Sequence, residues 1–202
     1  MSDLIFDEEL PKDPFDLFSS WYSSRRRVGG RRGAGAVLVT MGGRDRPLVH
    51  CVRVVPLPDG FAFFLHHRSS IGLALAIDPA VSLAFDWSEQ SRVVVVEGRC
   101  DRVSAVEADA YYGRLPKREQ LAVWAGGMER EGVARDEIAH SVAQFADRFA
   151  GQLIPRPTYW GGYRVIVSEM CFRQASGDGV LDILRYRNAG YDKTWDVRRE
   201  SA

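Results

Sequence analysis

The sequence predicts a mainly β fold, an antiparallel barrel with helices inserted mid-chain, and three observations predict it. Short apolar runs separated by glycine, proline and aspartate turns recur from Ala36 to Arg102 and again after Pro157. Helix signals gather between them, from Ser104 to Ala150. The chain has 202 residues, 46% of them hydrophobic, which at roughly 150 residues per domain is one domain with a core of its own.

Each element has a local reason. Asp13 can cap a first helix and Pro14 suits its first turn, while Phe15, Phe18, Trp21 and Tyr22 recur at helical spacing. A basic, glycine-rich connector follows from Arg25 to Gly33, either a solvated linker or an anion-binding arm. Ala36–Met41 and Leu48–Val55 read as strands joined at Gly42-Gly43, and Pro56 to Gly60 as the connection to a third strand, Phe61–Leu65. Ser69 and Ser70 cap a short apolar helix that ends at Asp78-Pro79. Val81–Phe85 and Arg92–Arg102 are strands, and the four valines from Val93 to Val96 predict burial on both faces.

Ser104 and Glu107 make a capping box, Pro116 starts the next helix, and residues 134–150 carry a stripe of Ile138, Val142, Phe145 and Phe149. Strands resume at Tyr159–Val167, Met170–Gln174, Val180–Tyr186 and near Trp195. The expected organisation is an N-terminal helix and basic connector over 1–34 and a barrel domain over 35–202, which includes the helical insertion 104–150 and C-terminal strands 159–198.

Charge and cysteine content exclude several classes. Lys and Arg number 27 against 27 Asp and Glu, so the net charge is zero, whereas nucleic acid and anionic membranes attract a basic excess. No apolar run approaches the roughly 20 residues of a membrane span, and Met1 to Lys12 lacks the layout of a secretion signal. Three scattered cysteines, Cys51, Cys100 and Cys171, fit a reducing cytoplasm and give no metal site. The expectation is a cytoplasmic protein with a small-molecule partner.

Four stretches carry a resemblance. They are Asp13 to Trp21, Asp78 to Trp87, Tyr111-Tyr112 with Leu115-Pro116 and Gln120 to Trp124, and Arg156-Pro157-Thr158-Tyr159-Trp160-Gly161-Gly162-Tyr163-Arg164. In order and spacing they resemble the pyridoxine/pyridoxamine 5′-phosphate oxidase family, flavoproteins on an FMN-binding split β-barrel. The resemblance implies a homodimer with the flavin pocket between subunits.

At the positions that the resemblance makes functional, this chain departs. Where the family has an Arg and, five residues on, a Lys against the FMN phosphate, stand His50 and Val55. A Ser-Arg-Lys phosphate triplet becomes Ser69, Ser70 and Ile71. A flavin-contacting Gln becomes Val93, and a Gln-Ser pair becomes Met128 and Glu129. A C-terminal Trp and Arg-x-His-x-Arg run become Arg173, Gly179, Leu181 and Ile183. Of the Tyr, Arg and Ser that hold the substrate phosphate, Tyr111 remains, with Leu115 and Glu119 at the others. A charge-assisted hydrogen bond to phosphate contributes roughly 1.5–3 kcal/mol, so losing two costs roughly a thousandfold in affinity.

The remaining candidates follow. Arg53, Arg68, Ser69 and Ser70 are the groups left to hold FMN; the alternative is no cofactor. His50, His66 and His67 converge on the vacated pocket and, with Tyr111, are candidates for acid–base catalysis near neutral pH; alternation allows only one of His66 and His67 to face inward. Otherwise they are strand-end polar residues, or ligands of a haem. His140 is a solvent or interface residue on the long helix. Arg114, Lys117 and Arg118 are either a solvated helix face or an anionic-substrate site, and Glu119 repels a phosphate. The expected function is a divergent oxidoreductase for a small cyclic or aromatic metabolite of specialised metabolism, not for pyridoxine phosphate. The alternative is a flavin-independent enzyme using His and Tyr, or a small-ligand or haem-binding protein.

Overall fold

The computed structural model describes residues 10–29, 35–43, 46–126, 135–175, 180–190 and 194–201. The acidic start of the chain, the end of the basic connector, Met128, Glu129 and Gly179 lie outside the described residues, as do the side chains from Arg25 onward in the connector. Helix α1 spans Pro14–Gly29, with the Asp13 carboxylate accepting from the Phe15 N–H at 2.9 Å. It extends through Arg25, Arg26 and Arg27 into the expected connector; arginine is a good helix former, and the helix stops at glycine.

Strands β1 (Gly35–Gly42), β2 (Arg46–Leu57) and β3 (Gly60–His66) form a meander, with β2 and β3 turning at Pro58-Asp59. Helix α2 (Ser70–Ile77) leads into β4 (Ala80–Trp87), which pairs with β1, and β5 (Arg92–Arg102) pairs with β4. Helices α3 (Ala105–Gly113), α4 (Lys117–Ala125) and α5 (Arg135–Arg148) intervene before β6 (Trp160–Ala175), β7 (Leu181–Asn188) and β8 (Trp195–Ser201). The sheet order is β3-β2-β1-β4-β5-β6-β7-β8, and β3 pairs back onto β6 from Phe61↔Val165 to His66↔Trp160. That pairing closes β1 to β6 into an antiparallel barrel, while β7 and β8 continue outward from the far half of β6: a split barrel with inserted helices.

The barrel core holds Leu38, Val54, Phe61, Phe63, Leu83, Phe85, Val94, Val96, Val165, Met170 and Phe172, all nearly inaccessible. Helix α1 adds Phe15, Phe18 and Trp21, and α2 adds Ile71 and Leu75. Each such side chain contributes roughly 1.5–3 kcal/mol by leaving water. Phe18 meets Phe61 and Phe85 edge-on, with centroids 4.8 and 4.9 Å apart.

Three sequence expectations need correction. Of the four valines on β5, Val94 and Val96 are buried but Val93 and Val95 only partly so, because β5 alternates between the core and the outer face. The two strands expected at Tyr159–Val167 and Met170–Gln174 are the single β6. Ser168 is absorbed there as a bulge opposite Glu97 and Gly98, its hydroxyl donating to the Glu97 carbonyl at 3.1 Å. Ile138 is largely exposed, and only Val142, Phe145 and Phe149 of its stripe pack inward.

Candidate functional site

A second apolar cluster lies outside the barrel, where α3, α4 and α5 cover β3 and β6. Its buried members are Tyr112, Leu121, Phe149, Ile154 and Trp160. The capping box holds the start of α3: the Ser104 hydroxyl accepts from the Glu107 N–H, and the Glu107 carboxylate accepts from the Ser104 N–H. The two adjacent tyrosines divide. Tyr112 is buried and its hydroxyl donates to the Gln120 carbonyl, whereas Tyr111 is half-buried with its ring parallel to Phe64, centroids 3.7 Å apart.

Tyr111 looks toward charge. Burial pushes its phenol up, nearby Glu119 adds to that, and Arg53 opposes it. The Arg53 guanidinium is 3.6 Å from the Glu119 carboxylate, with Arg53 largely exposed and Glu119 about one-third exposed. Sequence reasoning named both residues but not the pairing, because they sit far apart on β2 and α4. Leu115 is half-buried beside them, and Arg114, Lys117 and Arg118 are exposed.

The three histidines do not converge. His50 is the Cα partner of Leu38 and shares the core-facing side of β2 with Val52 and Val54, so it points into the barrel and not toward Arg53 and Tyr111. Its Nε2 is buried without a partner among the described residues. His66 lies on the outer side of β3 with Phe64 and stacks on Tyr159, centroids 4.6 Å apart; its Nδ1 accepts from the Arg68 N–H at 2.9 Å. His67, just past the strand, turns its ring edge-on to Tyr163, and its Nδ1 is buried without a partner among the described residues. Burial, then Arg102, His66 and Arg156, hold His67 below the usual histidine value. Neither arginine was singled out in the sequence, although Arg156 opens the last of the four resembling stretches. His140 bonds along its own helix, to Gln144.

Gly161 and Gly162 explain how His67 and Phe64 lie so close to β6. A Cβ on Gly162 would fall 2.6 Å from Phe64 Cε1 and 2.8 Å from Val103 Cγ2. The Trp-Gly-Gly motif therefore serves packing of the aromatic wall.

The residues implied for FMN can be tested against this geometry. Ser69 is buried at the N-cap of α2, its hydroxyl accepting from the Gly72 N–H at 3.2 Å, and Ile71 is part of the core. Arg68 and Ser70 are exposed, Val55 is half-buried, and Ile183 is buried next to exposed Arg173. With His50 turned into the barrel, these side chains do not form the cationic cradle that an FMN phosphate requires. Among the described residues, no cluster of His, Cys, Asp or Glu could hold a metal ion, and no helix is long and apolar enough to cross a membrane.

No family model matches the sequence. Curated relatives do: the pyridoxine/pyridoxamine 5′-phosphate oxidase of Cupriavidus metallidurans is 31% identical over 202 residues, covering 100% of this chain and 94% of that protein. The one from Acidothermus cellulolyticus is 33% identical over 200 residues, covering 98% and 89%. Among solved structures, PhzG from Burkholderia lata 383 in complex with tetrahydrophenazine-1-carboxylic acid superposes with a TM-score of 0.88 at 22% identity, over 99% of this chain and 98% of that one. A pyridoxamine 5′-phosphate oxidase-related, FMN-binding protein from Nostoc punctiforme gives 0.74 at 12% identity, over 96% and 99%. The two solved structures carry the same fold, and on the full-length sequence identities the chain belongs to the pyridoxine/pyridoxamine 5′-phosphate oxidase family.

Proposed function

We propose that this chain is a divergent oxidoreductase of the family that has left pyridoxine 5′-phosphate for a small cyclic or aromatic metabolite of specialised metabolism. The observation that carries this reading is the Arg53–Glu119 pair beside Tyr111. Glu119 and Leu115 stand where the resemblance implies a Ser and an Arg for the substrate phosphate, and Glu119 neutralises the nearest cation. A dianionic phosphate there faces the Glu119 carboxylate and a guanidinium already shared with it, while a planar ring meets Phe64, Tyr111 and Trp160. PhzG, the structural relative, holds a phenazine-type carboxylic acid, which supports a ring substrate without phosphate.

In this reading Tyr111, its phenol held protonated by burial, donates a hydrogen bond to a carbonyl or carboxylate of the ligand. Arg53 orients an acidic group, and the exposed Arg114 and Arg118 attract it. His66, whose Nδ1 accepts from the Arg68 N–H, carries its neutral-form proton on Nε2, and this reading assigns it proton exchange on the outer face. The apolar outer side of α2, where Leu73 and Ile77 are exposed, supports a homodimer.

The poor fit of the FMN cradle favours a second reading, in which the same pocket works without flavin, by Tyr111 and histidine acid–base chemistry, or holds a small ligand or haem. The visible spectrum of the purified full-length chain separates the readings. A flavin band that survives gel filtration supports the redox role; its absence, or a Soret band, supports the second. Steady formation of pyridoxal 5′-phosphate from pyridoxine 5′-phosphate with added FMN would overturn both.

A further inference from the structure

Away from this site, a cavity of about 490 Å³ opens at the split of the barrel. That volume lies in the roughly 300–1,000 Å³ range of small-molecule pockets. Its position follows from strand pairing. On one edge of β6, β3 pairs as far as Val165 and β7 begins at Glu169, so Ile166, Val167 and Ser168 have no strand partner on that edge among the described residues. The β2–β3 turn, Pro58-Asp59, flanks the gap on one side, and Asn188 and Trp195 flank it on the other. Arg164 and Ile166 point outward from β6 and Val165 and Val167 inward, yet all four line the cavity, as they must where it opens on the edge of the strand. It lies at the Gly60 end of β3, whereas His66 ends the other, about 20 Å away along the strand.

The lining has a definite chemistry. Phe15 and Trp195 form an aromatic wall, edge-on with centroids 6.1 Å apart, facing the exposed side of Ile166. Asp13 and Asp59 also line it. The one cation among the lining residues, Arg164, is shared between Asp59 at 3.5 Å and Glu107 at 2.8 Å. Among the lining residues two carboxylates, Asp13 and Asp59, accompany one guanidinium, which Glu107 also engages from outside the cavity, next to the Phe15 and Trp195 rings. Such a site attracts positive charge by Coulomb and cation–π terms together and disfavours anions.

We infer that the cleft between the β2–β3 turn and the β7–β8 hairpin is a second ligand site, which takes a small ring-bearing organic cation such as an arylalkylamine. The ring lies against Trp195, Phe15 and Ile166, and the ammonium is drawn to Asp59 and Asp13. The free edge of β6 offers backbone groups to any polar substituent. The site is separate from the Tyr111 pocket, and the inference does not depend on what that pocket binds.

The test is calorimetry or saturation-transfer NMR on the full-length chain with phenethylamine, phenethyl alcohol and hydrocinnamate at millimolar concentrations. These probes share a ring and differ in charge. The amine is expected to bind more tightly than the alcohol, and the carboxylate least. Asp59→Asn, a turn residue whose replacement keeps the turn, is expected to weaken the amine by about fivefold, the loss of one partly screened charge. Trp195→Leu should weaken it by a similar factor, and Tyr111→Phe should leave it unchanged. Absence of binding, equal binding of amine and carboxylate, or an Asp59→Asn variant that binds the amine undiminished would overturn the proposal. So would loss of amine binding in Tyr111→Phe, which would assign the ligand to the other pocket.

Discussion

The His67 imidazole lies against Gly161 so closely that a Cβ on that glycine would fall 2.7 Å from Nε2 and 2.9 Å from Cε1. The next residue is confined by Phe64 and Val103 in the same way. The two glycines are thus the means by which the end of β3 and its following loop press onto β6.

Gly162→Ala is expected to destabilise the fold by about 1–3 kcal/mol, the usual penalty for forcing a methyl into a filled space. Gly161→Ala should cost a similar amount, but its obstacle is one imidazole. Adding His67→Ala should therefore recover part of that loss, whereas it should not rescue Gly162→Ala. Urea unfolding of the single and double variants measures both effects. Equal loss in Gly161→Ala with and without His67 would refute the contact as the cause.

The state of His67 predicts a pH dependence. Burial and two nearby arginines hold its folded pKa below 6.5, so the unfolded chain takes up the proton first as pH falls. This contribution to stability is complete above pH 6.5 and is lost as pH drops from there toward the folded value. Glu107, Glu169 and Glu200 are lowered from 4.5 and lose their contributions only in more acidic solution. Below pH 6.5 and above the range where the carboxylates titrate, the decline should therefore be reduced in His67→Gln, as thermal unfolding at several pH values would show. An unchanged slope in that variant would mean that another group sets it.

Much of this architecture is legible locally. Asp13, Ser69 and the Ser104–Glu107 box are caps in the sequence and caps in the structure, because capping depends on residues two or three apart. The site was harder to read. From Leu48 to Val55 the run is apolar except at His50 and Arg53, which fall on opposite faces, so alternation alone does not say which face is inner. The pairing of His50 with Leu38 decides it, and that register is a tertiary fact. Ser168 and Glu169 look like a break between strands and are instead a bulge and an ion-paired residue, the latter bonded to Arg185 and Arg187. The Arg53–Glu119 pair is invisible to any local pattern because β2 and α4 meet only in the fold.

That pair gives a direct test of ligand charge. If Glu119 neutralises Arg53, then Glu119→Gln should raise the affinity for pyridoxal 5′-phosphate by about tenfold, and Arg53→Gln should not. Fluorescence titration with the phosphate ester, and with pyridoxal as the uncharged control, reads the difference. A gain for pyridoxal as large as for its phosphate would show that Glu119 acts by shape and not by charge.

Helix α2 is apolar nearly all round: Ile71, Ala74 and Leu75 face the barrel, while Leu73 is 55% and Ile77 73% exposed. A helix of that composition normally has a partner on each face. Val49, 67% exposed on the outer face of β2, adds apolar area of the same kind. Covering it by a second copy requires burial on the order of 800 Å² per subunit for a stable pair. Leu73→Lys with Ile77→Lys removes apolar area and places like charges across any two-fold contact through α2, without disturbing the buried side of the helix. In sedimentation velocity the unaltered chain is expected to run as a dimer at micromolar concentration and the double variant as a folded monomer with unchanged far-ultraviolet circular dichroism. A dimer that persists in the variant would place the interface elsewhere, and an unaltered chain that sediments as a monomer would remove the homodimer from the proposal.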